Sequence, residues 1–359
     1  MGLQARKNIT MHIVHEKKNL RVFVHGDDFV SLGSETEIKW LHEKMASIYE
    51  VKVRGVVGPE DGDLKHMRIL NRFITWHPWG VGYEADPRHA EKVIEEMGLG
   101  RGKGVSTPII KEKEEEGCEE ELGPEEAKVF RGLAARINFL AIDRPDIQYA
   151  AKEICRYMAR PRHLDYGRIK RVARYLISKP RMEITFPYQR SPQTLTVLSD
   201  SDYAGCLKSR RSTSGGAILY GRCLVKSWSS TQAVISLSSS EAEYYALVKS
   251  SSEGLGIKSA AADWEVKVGV EVNVDSNGAK GIAGRQGLNK RTRHIGVHLL
   301  WVQEKVQGGE VVLRKIDGKK NGADLGTKAL DQQTIQTHCD RLGVAFLEGR
   351  HHLAPSSAK

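Results

Sequence analysis

From Leu195 onward, three short apolar runs follow one another: Leu195–Leu198, Gly216–Tyr220 and Cys223–Trp228. Their length and their β-branched and aromatic content read as consecutive antiparallel strands. A long helical stretch follows at Ser240–Lys258, then a strand at Glu271–Val274 and a helix from Ser276. A last strand at Val311–Ile316 has helical segments around it. The order βββαβα(β)α admits few architectures, and it predicts a mixed sheet of α/β class covered by helices.

Four acidic residues sit at the boundaries of these elements. Asp200 directly follows the first strand, Glu243 lies in the first turns of the long helix, and Asp275 ends the next strand. Asp324 opens a short terminal helix in Asn321-Gly322-Ala323-Asp324. Carboxylates at strand ends are placed to meet at one edge of a sheet. Three or four converging carboxylates cannot all stay ionised without a cation, and hard oxygen ligands suit Mg²⁺. Two such ions ~3.5–4 Å apart clamp the attacking and leaving oxygens of a phosphodiester displacement. Taken singly, each Asp reads better as a cap or turn residue than as a ligand. The ensemble carries the argument.

The ordered motifs add to this. Leu198-Ser199-Asp200-Ser201-Asp202-Tyr203-Ala204-Gly205, Arg211-Ser212-Thr213-Ser214-Gly215-Gly216, Ser227-Trp228-Ser229-Ser230 and Leu237-Ser238-Ser239-Ser240-Glu241-Ala242-Glu243-Tyr244 come first. Val274-Asp275-Ser276-Asn277-Gly278-Ala279, Thr292-Arg293-His294-Ile295 and Ala323-Asp324-Leu325-Gly326-Thr327-Lys328 follow. In this order the series resembles the ribonuclease H domain of copia-type retrotransposon polyproteins. The resemblance implies a ribonuclease H-like five-stranded mixed sheet with flanking helices. It implies an enzyme that cuts the RNA strand of an RNA–DNA hybrid with two Mg²⁺ or Mn²⁺ ions. Carried over residue by residue, it makes Asp200 the carboxylate between the metals, with Glu243, Asp275 and Asp324 completing the site and Asp202 in reserve. Of Glu241 and Glu243, which cannot share a helix face, the family pattern selects Glu243. Glu241 is expected as an N-terminal charge favoured by the helix dipole. Gly322, Gly326 and Ala329 depart from the family pattern, and the glycines are expected to loosen the last helix.

Upstream, Leu20–His25 and Phe29–Leu32 flank Gly26-Asp27-Asp28 and read as a β-hairpin with acids at its tip. Val24-His25-Gly26-Asp27-Asp28-Phe29-Val30 resembles the catalytic hairpin of the same family's reverse transcriptase. That resemblance implies a metal role for Asp27 and Asp28 together with a third aspartate upstream. Residues 1–26 contain no Asp, so the segment is expected to be a truncated, inactive polymerase remnant of α+β type. Helical spacing follows at Thr36–Tyr49, strand-like runs at Val51–Val57 and Met67–Trp76, and a helix near Pro87–Met97. The expected division is a polymerase remnant over 1–97, a Gly-rich and acidic linker over 98–123 and a helical connection over 124–190. A ribonuclease H-like unit over 191–335 and a tail over 336–359 complete it. In the connection, Leu164–Ile177 reads as a basic amphipathic helix, equally a solvated face over a core contact.

Charge suits a polyanionic partner. The chain carries a net +10, yet nine Glu against two Lys crowd Lys111–Glu126, which leaves +17 for the rest. Arg210, Arg211, Lys290, Arg291 and Arg293, with His294, are the expected nucleic-acid contacts beside the acids. His12, His15, His294 and His298 have no companion cysteine, and surface or nucleic-acid contact is the better reading than a metal site. Other Pol or Gag products of a retroelement are further expected partners. No apolar run approaches the ~18 residues a membrane span needs. The start Met1-Gly2-Leu3-Gln4-Ala5-Arg6 has neither a signal core nor the Ser or Thr of a myristoylation signal. Five scattered cysteines predict free thiols in a reducing compartment, the cytoplasm or nucleus. Two other readings stay open: a non-catalytic nucleic-acid-binding relic, and an interaction protein that binds anions loosely. The second leaves the ordered motifs unexplained.

Overall fold

The computed structural model describes residues 4–5, 12–100, 102–111 and 120–356. The N-terminal lipidation reading, Cys118 and most of the acidic run lie outside those residues. Among the described residues, no helix is long and apolar enough to cross a membrane, and Cys155, Cys206, Cys223 and Cys339 are free thiols.

Strands β1 (Gln4–Ala5), β2 (His12–His15), β3 (Leu20–His25) and β4 (Asp28–Leu32) form an antiparallel sheet in that order. Helix α1 (Glu35–Ala46) closes on it, burying Leu41 with Leu20 and Val22. Ser34 caps α1 by accepting from the Glu37 N–H. Gly26 (φ +62°) supplies the left-handed conformation of the tight β3–β4 turn.

Val51–Val57 is not a strand. Among the described residues it makes a single isolated bridge, Val57 to Leu64, and joins no sheet. Val53 and Val56 stay exposed. Met67–Trp76 is a hairpin rather than one strand. β5 (His66–Ile69) and β6 (Arg72–His77) turn at Leu70 and Asn71, both at positive φ, and apolar spacing alone does not mark that turn. β6 continues into β7 (Gly80–Ala85) and helix α2 (Arg88–Glu96).

Helices α3 (Pro124–Leu140), α4 (Gln148–Cys155) and α5 (His163–Ser178) share a core with α2, built from Phe130, Leu133, Ile137, Ile154, Val172 and Leu176. The arginines of α5 are engaged within the chain, Arg168 with Asp165, Arg171 with Thr107 and Arg174 with the Lys103 carbonyl, while Lys170 is exposed. Strand β8 (Arg181–Pro187) then pairs with β7.

Strands β9 (Thr194–Ser201), β10 (Thr213–Tyr220) and β11 (Cys223–Thr231) are consecutive and antiparallel. Helix α6 (Ser239–Asp263) follows, then β12 (Gly269–Val274), α7 (Asn277–Ala283), α8 (Trp301–Gln307) and β13 (Val312–Lys315). The sheet order is β11-β10-β9-β12-β13, with β12 parallel to β9 and to β13. This is the mixed five-stranded sheet the element order predicts. Leu195 and Val197 of β9 face α6 in one core with Tyr244, Leu247 and Val272. Leu198 faces the opposite core with Ala217, Leu224, Ala323 and Leu325. β9 is therefore covered on both sides, and its end is held firmly.

The stretch expected as a tail does not trail. Helix α9 (Gln332–Arg341) and strand β14 (Val344–Leu347) bury Ile335, Cys339, Leu342 and Val344 in that second core. β14 also becomes an edge of a second five-stranded sheet, in the order β14-β8-β7-β6-β5. Residues from both ends of the chain thus share one sheet.

Candidate metal and nucleic-acid site

Parallel pairing of β9 with β12 puts both C-terminal ends on one edge of the sheet. Asp200 sits at the first end, opposite Gly215 of β10, and Asp275 follows the last residue of β12. Glu243 arrives from above. Ser238 caps α6 by accepting from the Glu241 N–H, and burial of Tyr244 and Leu247 against the sheet fixes the helix rotation. One carboxylate oxygen from each of Asp200, Glu243 and Asp275 lies within 4.8 Å of the others.

Partners are few. The Glu243 Oε1 accepts from the Ser201 N–H at 3.3 Å, and its Oε2 is buried with no partner. The Asp200 Oδ2 accepts from the Thr327 hydroxyl at 2.6 Å. Burial, and then the charges of Asp324 and Glu243, push the Asp200 carboxyl well above its ordinary range. Burial, and then Asp275, push Glu243 up to about 7. Both shifts state that the site holds more negative charge than its own surroundings neutralise. Three hard oxygen donors, one of them orphaned, fit a divalent cation such as Mg²⁺ or Mn²⁺.

Asp324 stands beside this group rather than in it. It lies in the turn Gly322–Gly326, with Lys328 Nζ at 2.9 Å and His338 Nε2 at 3.9 Å. Lys328 Nζ is also 3.9 Å from Asp200. Burial works against the Lys328 ammonium, but Asp200 and Asp324 outweigh it and raise its pKa. Asp202 is also outside the group, since its carboxylate accepts from the Thr213 N–H.

Sequence reasoning missed Thr327, Lys328 and Asn321 as site residues. The Asn321 amide donates to the Ser199 carbonyl at 2.9 Å and fastens the turn to β9. Glycines let that turn close. A Cβ on Gly215 would meet the Ala323 carbonyl and Thr327 Cγ2 at 2.7 Å, and one on Gly326 the Trp228 carbonyl at 2.6 Å. Gly326 therefore tightens the turn rather than loosening a helix. The available signal was the spacing of Lys328 four residues after Asp324.

Arg210 and Arg211 are exposed on the loop between β9 and β10, and Lys290, Arg291 and Arg293 are exposed before α8. His294 Nε2 meets Glu241 Oε2 at 2.9 Å, which ties that basic run to the first turn of α6. Burial would raise Glu241, but hydrogen bonds from Tyr245, His294 and the Leu237 N–H hold it below the usual carboxylate range. His12 and His15 lie on β2 and His298 in a 3-10 turn. Among the described residues, none of these three joins a metal-type group. Asp27 and Asp28 flank the β3–β4 turn, Asp28 with Arg54 at 3.1 Å. Neither joins a group of three potential ligands among the described residues.

No protein-family model matches the chain. Over 235 residues it is 30% identical to the uncharacterized mitochondrial protein AtMg00810 of Arabidopsis thaliana, covering 65% of this chain and 92% of that one. It is 29% identical over 218 residues to the retrovirus-related Pol polyprotein from transposon RE1 of A. thaliana, covering 60% of this chain and 15% of the polyprotein. Against the Pol polyprotein from transposon TNT 1-94 of Nicotiana tabacum it is 24% identical over 337 residues, covering 92% of this chain and 25% of that one. Among solved structures, LC11 RNase H1 in complex with RNA/DNA hybrid aligns at 18% identity and a TM-score of 0.27, covering 37% of this chain and 94% of that one. The foamy viral protease-reverse transcriptase with RNA/DNA hybrid aligns at 12% identity and a TM-score of 0.46, covering 83% of this chain and 36% of that one. By its sequence relatives, and by ordered motifs that converge on one sheet edge, the chain belongs to the copia-type retrotransposon Pol family.

Proposed function

We propose that this chain is a metal-dependent ribonuclease H that cleaves the RNA strand of an RNA–DNA hybrid. The observation that carries the reading is the convergence of Asp200, Glu243 and Asp275 within 4.8 Å, with one Glu243 oxygen buried and unpartnered. Two Mg²⁺ or Mn²⁺ ions held there would supply a metal-bound water and stabilise the leaving oxygen of the phosphodiester. Asp200 at the end of β9, Glu243 and Asp275 are the residues that would hold them. Asp324, paired with Lys328, would join them where the cation displaced that ammonium. Thr327 fixes the Asp200 rotamer by its hydrogen bond. Arg210, Arg211, Lys290, Arg291 and Arg293 bind the phosphates of the hybrid, and His294 anchors the second of these stretches. The work takes place in a reducing compartment, the cytoplasm or nucleus, with the other Pol or Gag products of a retroelement as partners. No polymerase activity is assigned to the 1–97 segment, where Asp27 and Asp28 belong to no group of three potential ligands among the described residues.

The non-catalytic relic reading draws on one specific observation, the Lys328 ammonium seated between Asp324 and Asp200. An assay of labelled RNA–DNA hybrid with and without Mg²⁺, run beside Asp200→Asn, decides between the two. Mg²⁺-dependent cleavage that is lost in Asp200→Asn is the expected result. Hybrid binding without cleavage at any Mg²⁺ or Mn²⁺ concentration would leave the relic.

A further inference from the structure

After β14 the chain turns back across the second five-stranded sheet. The Glu348 carbonyl accepts from Arg181 of β8, and Arg350 pairs with Glu91 of α2. The His351 ring stacks on Phe73 of β6, with centroids 4.2 Å apart and 13° between planes. The segment so reaches β5, the opposite edge of the sheet from β14. There His352 lies edge-on to His66 at 4.5 Å and stacked on His351 at 4.7 Å.

One ligand nitrogen from each of His66, His351 and His352 lies within 4.8 Å of the others. The His66 Nδ1 is paired with the Thr75 hydroxyl at 3.0 Å, which fixes the ring and leaves Nε2 for a ligand. His351 is 2% exposed, and its Nε2 is buried with no partner. Stacking on Phe73 explains why this ring is buried, but not why a polar atom is left unpaired there. The carboxylate that acts electrostatically on both His66 and His351, Glu84, is committed to Arg181 through two bonds of 2.7 and 2.8 Å. The donor set is therefore three imidazoles.

We propose that His66, His351 and His352 bind a divalent transition-metal ion, Zn²⁺ by chemistry, which fastens the C-terminal strap to the edge strand β5. Three neutral imidazoles with one position left for water match zinc's four-coordinate preference. A hard ion such as Mg²⁺ favours oxygen donors and has none here. The site is thus chemically separate from the carboxylates at the end of β9, and it stands or falls apart from the nuclease reading. Loading also costs one contact. The His351 Nδ1 accepts from the Leu353 N–H at 3.2 Å, and that bond is given up whichever ring nitrogen binds. If Nδ1 binds, its lone pair is taken; if Nε2 binds, Nδ1 must carry the ring proton.

The test uses the full chain, stripped with EDTA and dialysed into excess Mg²⁺ so that the carboxylates are already filled. Zn²⁺ is titrated calorimetrically, and Co²⁺ is added separately to read its visible absorption. One Zn²⁺ per chain is expected, with the intense Co²⁺ bands of a four-coordinate site. His352→Ala removes an exposed ligand without disturbing the core, and it should weaken binding by more than about 10-fold. Asp200→Asn should leave the titration unchanged. Zn²⁺ should also slow proteolysis within residues 348–356 in the parent but not in His352→Ala. Absence of stoichiometric Zn²⁺ binding, binding unaffected by both His352→Ala and His66→Ala, or binding lost in Asp200→Asn would each overturn the proposal.

Discussion

Glu243→Gln, in a chain freed of divalent ions, is expected to stabilise the ribonuclease H-like unit at pH 8 far more than at pH 5. Burial and then Asp275 raise the Glu243 carboxyl from its usual 4.5 to about 7. The folded state holds this proton more tightly than the unfolded chain does. Between about pH 4.5 and 7 it therefore binds more protons, and stability is lost as pH rises through that window. At 1.36 kcal/mol per pKa unit, the ceiling on this loss is about 3 kcal/mol. Asp200, raised by burial and by Asp324 and Glu243, contributes in the same direction. Four histidines oppose it: half-buried His66 and His89 and buried His338 and His351 are lowered, first by burial, so their contribution grows as pH rises. The useful quantity is therefore the difference between parent and variant, in which the histidines cancel. Amide exchange of β9 and α6 in EDTA reads this unit apart from the rest of the chain. The variant should gain about 2–3 kcal/mol relative to the parent between pH 5 and pH 8. Saturating Mg²⁺ should remove most of the parent's deficit at pH 8, because it binds the ionised carboxylates of the folded state alone. A difference independent of pH would refute the claim that Glu243 is an under-compensated buried charge.

Lys328→Met removes the ammonium between Asp324 and Asp200. Discounted for its half-exposed position, this should cost the metal-free chain about 1–2 kcal/mol while tightening Mg²⁺ binding several-fold; weaker Mg²⁺ binding by calorimetry would show that Lys328 supports the ion. Gly215→Ala forces a Cβ against the Ala323 carbonyl and Thr327, so urea melts should show a loss of about 1–3 kcal/mol; an unchanged midpoint would mean that the turn is not seated on β10. Arg210→Ala with Arg211→Ala should weaken hybrid binding by about 1–2 kcal/mol and reduce its salt dependence; a folded double mutant with unchanged affinity and salt slope would remove this loop from the interface.

Much of the sheet was legible because its information is local. Strand-length apolar runs at 195–198, 216–220 and 223–228 and the long run at 240–258 carry their own periodicity, and their order left few topologies. What was not legible is what the partner decides. Val51–Val57 has strand composition but, among the described residues, only an isolated bridge at Val57. The stretch after 335 reads as a tail because its buried apolar residues, Cys339, Leu342 and Val344, are sparse in sequence. They become a core only where β8 and the 322–326 turn meet them. Similarly, the basic face of α5 gave no sign that its arginines would be used by Asp165, Thr107 and the Lys103 carbonyl.

The carboxylates follow the same division, with a consequence for how the site works. Asp200 and Asp275 could be placed together from strand ends alone, and Glu243 from the helix between them. Asp324 arrives from a turn whose position depends on close backbone contacts at Gly215 and Gly326, which no periodicity encodes. It is also the one carboxylate of the four that arrives with its own cation. The trio is bound by packing on both faces of β9, so it cannot relax away from its mutual repulsion when metal leaves. Lys328, on a long and half-exposed side chain, partly neutralises Asp200 in the metal-free chain, and a stronger cation would displace it. The three converging carboxylates then set the affinity for the ion, and the Asp324–Lys328 pair sets the cost of its absence.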